Sequence, residues 1–542
     1  RAVADPPDGR FTFNPLGASL PLFNRPRTET EITQLAAEEH VPDYLRRRPL
    51  YDELEALRQA LTDARPPRTR YFGSQPVLEV FIRKTGEETF VEIPPEKILI
   101  CDLRDTATGD WRRPPETKPY IRAADGATID QPIDVAVDPV LGRLAFRANY
   151  TDFPEATVEV NYAYGFSGDL GGGPYNRRSS VRSWLDPLNH PPTLQIGVTQ
   201  DRELLDAPAN TGQLVETVAA AIDAWHDYLN ENPDVHEPFG LIAVMDSRSY
   251  DQPLPEIQIP ANGKLVIASA DWPELDDPDT PGQKRRIPGQ IIAEDRRAHL
   301  ASDVTVLGTA GAAGVDAGEL VLDGLLIEGA VTVVAGNLGR LRIAHCTLVP
   351  DKGGLSVVAG NPRLTISLDR SMSGEITVPN LVPRLSIIDS IVDGTGGSAI
   401  VAHGCGGDIQ TSTLFGEVAL SSLEAGNSIF TGRVTAIRRQ IGCVRFCFLP
   451  FDSLTPRRYL CQPAEAASEA RVFPRFTSVT FGEPGYGQLR LPGQPEITAG
   501  AEDEGELGAF HFLQTGKRLR NLQTNLDDYL RFGLEAGVLF GN

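Results

Sequence analysis

Asp323-Gly-Leu-Leu-Ile-Glu-Gly329, His345-Cys-Thr-Leu-Val-Pro350, Arg370-Ser-Met-Ser-Gly374, Asp389-Ser-Ile-Val-Asp-Gly394, Thr411-Ser-Thr-Leu-Phe-Gly416, Asn427-Ser-Ile-Phe-Thr-Gly432 and Phe446-Cys-Phe-Leu-Pro450 are variations on one phrase. In each, a strand of alternating aliphatics meets a small or polar residue, then two or three apolar residues, then Gly or Pro. With Gly324, Cys346, Ser371, Ser390, Ser412, Ser428 and Cys447 as anchors, the intervals are 22, 25, 19, 22, 16 and 19 residues. One coil of a parallel β solenoid needs ~20–25 residues, whereas a helical-repeat pair needs about 33 or more. Stacking such coils puts equivalent strands about 4.8 Å apart, so that backbone groups bond the coil above or below and inward aliphatics form ladders. Small anchors suit the bends.

Upstream, Leu214, Val218, Ile222, Trp225 and Leu229 recur at helical spacing behind a cap at Thr211, and short alternating segments follow at Leu241-Ile-Ala-Val-Met, Glu256-Ile-Gln-Ile and Lys264-Leu-Val-Ile-Ala. A helix in that place can plug the open end of a solenoid. Residues 71–165 change to period two, with strand candidates Val77-Leu-Glu-Val-Phe-Ile, Lys97-Ile-Leu-Ile-Cys, Leu144-Ala-Phe and Val158-Glu-Val-Asn-Tyr, which suggests a β-sandwich-like module. Residues 1–70 read as an extended arm followed by helices. Thr28-x-x-Glu31 is a capping-box pattern ahead of Ile32, Leu35 and Ala36, and Pro49 opens a second helix with Leu50, Leu54, Leu57 and Leu61 on one face. The glycine-rich Gly165–Gly173 lacks the Lys-Ser/Thr of a phosphate loop and reads as a flexible connection. The expected organisation is an arm with helices over 1–70, the sandwich-like module over 71–165, a linker over 166–197, a capped parallel β-helix over 198–512 and a C-terminal helical cap over 513–542. The fold class is mainly β.

A formal net charge of −22 and a pI near 4.9 argue against nucleic acid or an anionic membrane as the main partner. Arg46, Arg47 and Arg48 form a basic cluster that fits a solvated face. Six cysteines in 542 residues do not make a disulfide framework, which favours assembly in a reducing compartment. There is no 18-residue apolar run.

If the coils carry chemistry, the best set of residues is Asp369, Arg370, Asp389 and Asp393: clustered carboxylates beside a cation are what cleavage of an acidic polysaccharide requires. Asp369 and Asp389 precede their anchors by two residues and one, so they fall out of register, and a solvated coil edge accounts for them. His345 beside Cys346, and His403 near Cys405, raise the question of a metal, but bend and core positions explain the cysteines. Cys443 and Cys447 fall on one side of their strand, opposite Val444, Phe446 and Phe448, and lack further ligands for zinc. Ala501-Glu-Asp-Glu-Gly-Glu506 reads as a solvated acidic turn whose spacing does not match a helix-loop-helix calcium site. The following helix, about 519–532, suits the far end of the solenoid. No cofactor is expected.

The Trp-bearing helix, the strand ending Met245-Asp-Ser-Arg-Ser-Tyr250, the segment Ile257-Gln-Ile-Pro-Ala-Asn-Gly263 and the repeated Asp-Ser-Ile-Val units together resemble right-handed β-helix proteins of the pectin-lyase-like class. Val137-Asp-Pro-Val-Leu-Gly-Arg-Leu-Ala-Phe146, Asn161-Tyr-Ala-Tyr-Gly-Phe-Ser-Gly-Asp169 and Leu526-Asp-Asp-Tyr-Leu-Arg-Phe-Gly-Leu-Glu-Ala-Gly537 resemble segments of uncharacterised proteins associated with phage-tail-like contractile injection particles. The second resemblance implies a non-catalytic structural or interaction subunit, associated with a baseplate or appendage. Such a subunit would have other proteins of the particle as partners, with a homo-oligomer such as a trimer plausible, and would assemble in the cytoplasm before release. The first resemblance implies the alternative, a carbohydrate-active lyase or hydrolase or a sugar-binding module.

Overall fold

A computed structural model describes the chain apart from residues 5–6, 28–37, 85–88, 151–157, 187, 208–209, 211, 277–283, 287–290, 312–315, 380–381 and 534–542. The capping box at Thr28 and the cap at Thr211 lie outside the described residues. The chain divides into two units, 1–166 with 482–484, and 167–481 with 485–542.

In the first unit two four-stranded sheets share one core. One orders Arg10–Thr12, Arg143–Phe146, Val135–Asp138 and Ile98–Ile100; the other orders Leu22–Phe23, Val158–Tyr164, Leu78–Ile82 and Val91–Glu92. The period-two pattern predicted Leu78–Ile82, Ile98–Ile100, Arg143–Phe146 and Val158–Tyr164, because alternate residues such as Leu78, Val80 and Ile82 enter the core, but not Val135–Asp138, which is buried at all four positions. The helix Arg47–Thr62 adds Leu50, Leu54 and Leu57 to it, while Leu61 is exposed. The reading of 1–70 as a separate arm is therefore corrected. Arg10–Thr12 and Leu22–Phe23 each pair antiparallel with strands of the 71–165 region, because short strands gain stability only by joining a sheet. The basic cluster is also only partly a solvated face: Arg47 donates to both oxygens of buried Asp138 at 2.8 Å.

Among the described residues the second unit holds a sheet of 24 strands with all pairings parallel. Strands adjacent in sequence do not form the main ladders. Glu319–Asp323 pairs with Arg340–Ala344, which pairs with Thr365–Asp369, and that strand with Arg384–Ile388. Between them run two further ladders: Leu326–Ile327 pairs with Thr347–Leu348, and Val331–Val333 with Leu355–Val357. Every third strand thus stacks on its equivalent. One inward column runs Ile196, Ile242, Ile267, Leu322, Ile343, Leu368, Ile387, Ile409, Ala425 and Val444, all in a single core. It ends on Arg458, which pairs with Val444 and donates to Thr455 Oγ1 at 3.0 Å and to the Ser453 and Phe451 carbonyls.

The helix Val218–Glu231 buries Val218, Ala221, Ile222 and Trp225 in this core, and Trp225 Nε1 donates to the Gln258 carbonyl at 2.9 Å. Its cap is Thr217, whose hydroxyl accepts from Ala220 N, and Leu214 lies in a strand rather than in the helix. Residues 166–197 are not a flexible linker. The segment holds the helix Arg178–Trp184 and the strand Leu194–Val198, and it buries Leu170, Val181 and Trp184. Gly172 sits where a Cβ would press on the Leu325 backbone, so the glycines serve close packing against the coils. The C-terminal helix runs Thr515–Tyr529 and buries none of its residues, so it does not plug the stack.

Candidate functional site

The repeat anchors meet at one corner of the stack. Cys346 N donates to Ser371 Oγ (3.1 Å), Ser371 N to Ser390 Oγ (3.0 Å), Ser390 N to Ser412 Oγ (3.2 Å) and Ser412 N to Ser428 Oγ (3.1 Å). Each hydroxyl in turn donates to the carbonyl two residues before it, at 2.6–2.9 Å. Cys346 and Cys447 make the same backward bond with sulfur. The anchors therefore satisfy the backbone groups that a sharp bend would leave buried and unpaired. Leu325 N donates to Cys346 Sγ, which places Leu325, and not Gly324, at the anchor position of the first coil.

The residue before each anchor adopts a left-handed conformation: Gly324, His345, Arg370, Asp389, Thr411, Asn427 and Phe446 all have φ between +45° and +75°. This turn breaks strand alternation, which corrects the reading of 443–448. Val444 and Cys447 are both core residues, and Phe446 packs edge-on against Tyr459.

The same turn places the four candidate residues. Arg370 and Asp389 share the left-handed position on adjacent coils, and Arg370 Nε lies 3.5 Å from Asp389 Oδ2. Asp369 pairs with Ile388, out of register with Asp389. Burial, then the neighbouring Asp389, raises the Asp369 carboxyl above its ordinary range. Arg370 also stacks on Phe512, 4.2 Å from the ring centre. Asp393 is buried, and it accepts from Tyr486 Oη at 2.6 Å and from Thr395 N at 2.8 Å.

A larger cluster went unread in the sequence. Asp323 and Arg177 are both fully buried and ion-paired, and Asp323 also accepts from Ser180 Oγ and from Trp184 Nε1 at 2.9 Å. The guanidinium presses on Gly324, where any side chain would collide with it. Tyr175 Oη bonds His345 Nδ1 at 2.8 Å and the Gly171 carbonyl at 2.7 Å, and burial holds the imidazole down to about 4. Residues 168–184 thus cover the corner of the earlier coils. Residues 486–513 cover the later ones, where Gly508 N donates to the Asn427 carbonyl and Ala509 N to Thr413 Oγ1. Only the pairing of a cation with a buried aspartate ~150 positions away could have signalled this, and sequence periodicity carries no such information.

The 501–506 turn is not simply solvated. Ala501 and Glu506 are buried, Asp503 pairs with Lys517 at 3.0 Å, and burial raises the Glu506 carboxyl to about 7. Burial pushes the Cys346 and Cys405 thiols up to about 12. His403 is exposed while Cys405 is buried. Among the described residues no three His, Cys, Asp or Glu side chains converge as metal ligands, and no helix is long and apolar enough to cross a membrane.

The chain matches no protein-family model, no curated protein and no solved structure.

Proposed function

We propose that the second unit is a right-handed parallel β-helix, capped at its first coils by Val218–Glu231, that serves as a stiff body in a large assembly. In this reading the protein is a structural or interaction subunit of a phage-tail-like contractile injection particle, associated with baseplate or appendage, assembled in the cytoplasm and released with the particle. The observation that carries a scaffold role is the fate of the corner's polar residues. Asp323 is engaged by Arg177, Ser180 and Trp184, Asp393 by Tyr486, and Arg370 by Phe512, all from the protein's own covering segments. Groups held in this way fasten the cover to the coils, and Asp393 is thereby committed to Tyr486 rather than open to a glycan.

The test is purification of the tagged chain from its own host, with negative-stain microscopy and mass spectrometry of whatever accompanies it. Sheath- and tube-like subunits in a common particle are the expected result. A lone small oligomer that cleaves an acidic polysaccharide would overturn the proposal.

A further inference from the structure

A second constellation lies on the strand column that follows the corner, at the first coils. Ser249–Tyr250 pairs with His299–Leu300, and that strand with Leu326–Ile327, so Ser249 and His299 are direct neighbours on adjacent rungs and Glu328 follows just beyond the third. Ser249 Oγ is 2.8 Å from His299 Nδ1, and His299 Nε2 is 3.4 Å from Glu328 Oε2. The imidazole is 3% exposed and Glu328 8%, whereas Ser249 is open to solvent. Lys352 Nζ lies 3.7 Å from the other Glu328 oxygen. Gln200 Nε2 donates to the Ser249 backbone carbonyl at 3.0 Å.

An exposed hydroxyl bonded to a buried imidazole, itself faced by a buried carboxylate, is the nucleophile–base–orienter order of acyl-transfer enzymes, which is recognised by geometry and not by chain order. We infer that Ser249, His299 and Glu328 form a hydrolytic centre for carboxylic esters. This goes beyond the scaffold reading and makes the subunit an enzyme as well.

With the neutral imidazole protonated on Nε2, which stands at ion-pair distance from Glu328 but outside hydrogen-bond geometry in this structure, Nδ1 accepts the Ser249 proton as Oγ attacks the ester carbonyl carbon. The bond from that carbon to the alkoxy oxygen breaks, and the departing alcohol takes the proton from His299. Water then attacks the acyl-serine and gives one proton to His299, which returns it to Ser249 Oγ. The products are the carboxylic acid and the alcohol. Esters fit better than amides, because an alkoxide leaves with less help from the acid than an amine does. Ser249 and His299 are the catalytic residues, and Glu328 is a positioning residue.

The test treats the full chain with a fluorophosphonate probe and maps the adduct by peptide mass spectrometry, alongside turnover of p-nitrophenyl acetate. An adduct on Ser249 is expected. Ser249→Ala should lose at least about 100-fold in rate at an unchanged melting temperature. Glu328→Gln should lower kcat with KM unchanged, a split that loss of packing alone would not produce. A folded protein with no adduct at Ser249, or a Ser249→Ala variant that turns over ester at the wild-type rate, would overturn the inference.

Discussion

At the residue scale, the anchors Ser371, Ser390, Ser412 and Ser428 hold a bend that the backbone does not adopt cheaply. A non-glycine residue in the left-handed region costs roughly 1–2 kcal/mol, and among the described residues the corner carries His345, Arg370, Asp389, Thr411, Asn427, Phe446 and, on the last rung, Leu460. The strain persists because the next residue closes a buried hydrogen-bond chain from rung to rung. Ser390→Ala leaves Ser371 N without its acceptor and takes one of two donors from the Ile388 carbonyl, which keeps Arg370 N. It should destabilise the second unit by ~1–3 kcal/mol in urea denaturation. Ser390→Cys should cost less, since Cys346 and Cys447 fill equivalent positions with the same backward bond. If the alanine and cysteine variants unfold together with the wild type, the chain of hydroxyls does not stabilise the corner.

At the scale of elements, the segments that cover the coils are tied down by buried polar groups, and one of these titrates near neutrality. Glu506 is buried, accepts from Thr515 Oγ1 at 3.2 Å at the start of the C-terminal helix, and has its carboxyl raised to about 7 from 4.5. Between those values the folded protein binds a proton that the unfolded chain has released. Stability must therefore fall as pH rises from about 4.5 to about 7, by up to ~3 kcal/mol. His345 acts in the opposite sense: with its pKa lowered to about 4, it costs stability as pH drops below 6.5. The difference between wild type and Glu506→Gln isolates the first effect. The variant should gain on the wild type steadily from pH 4.5 to 7 in urea denaturation, and parallel profiles would show that Glu506 is ionised throughout.

At the scale of the molecule, a parallel stack has to stop, because its last rung otherwise offers unpaired backbone and open core to any other chain. Here the inward column of ten aliphatic residues ends on Arg458, which turns its guanidinium onto the carbonyls of its own coil. Arg457–Tyr459 is paired on one side, and Tyr459 and Leu460 beyond it are more than half exposed. Arg458→Ile continues the apolar column to the open end. It should raise self-association, seen as a concentration-dependent increase in mass by light scattering after size exclusion, while Arg457→Ile, outside the column, should not. Equal behaviour of the two variants would mean that the inward position has no part in ending the stack.

Hydrophobic alternation and the recurring Ser or Cys determined, without any structure, that this chain is mainly β and that 320–450 repeats in coil-sized units, because side-chain period and coil length are written in local sequence. The strands at 78–82, 98–100, 143–146 and 158–164 and the apolar face of the helix at 218–231 were legible for the same reason, whereas Val135–Asp138, buried at every position, carries no alternation. Tertiary structure alone decided that Phe11, Phe13, Leu22 and Leu45 join the first core, that Leu170, Val181 and Trp184 pack among the buried residues, and that Leu325 is the first anchor. It also decided that Arg177 meets Asp323 and that Ser249 meets His299. These pairings join residues 146 and 50 positions apart, and such separations become contacts only when the rungs are stacked in register.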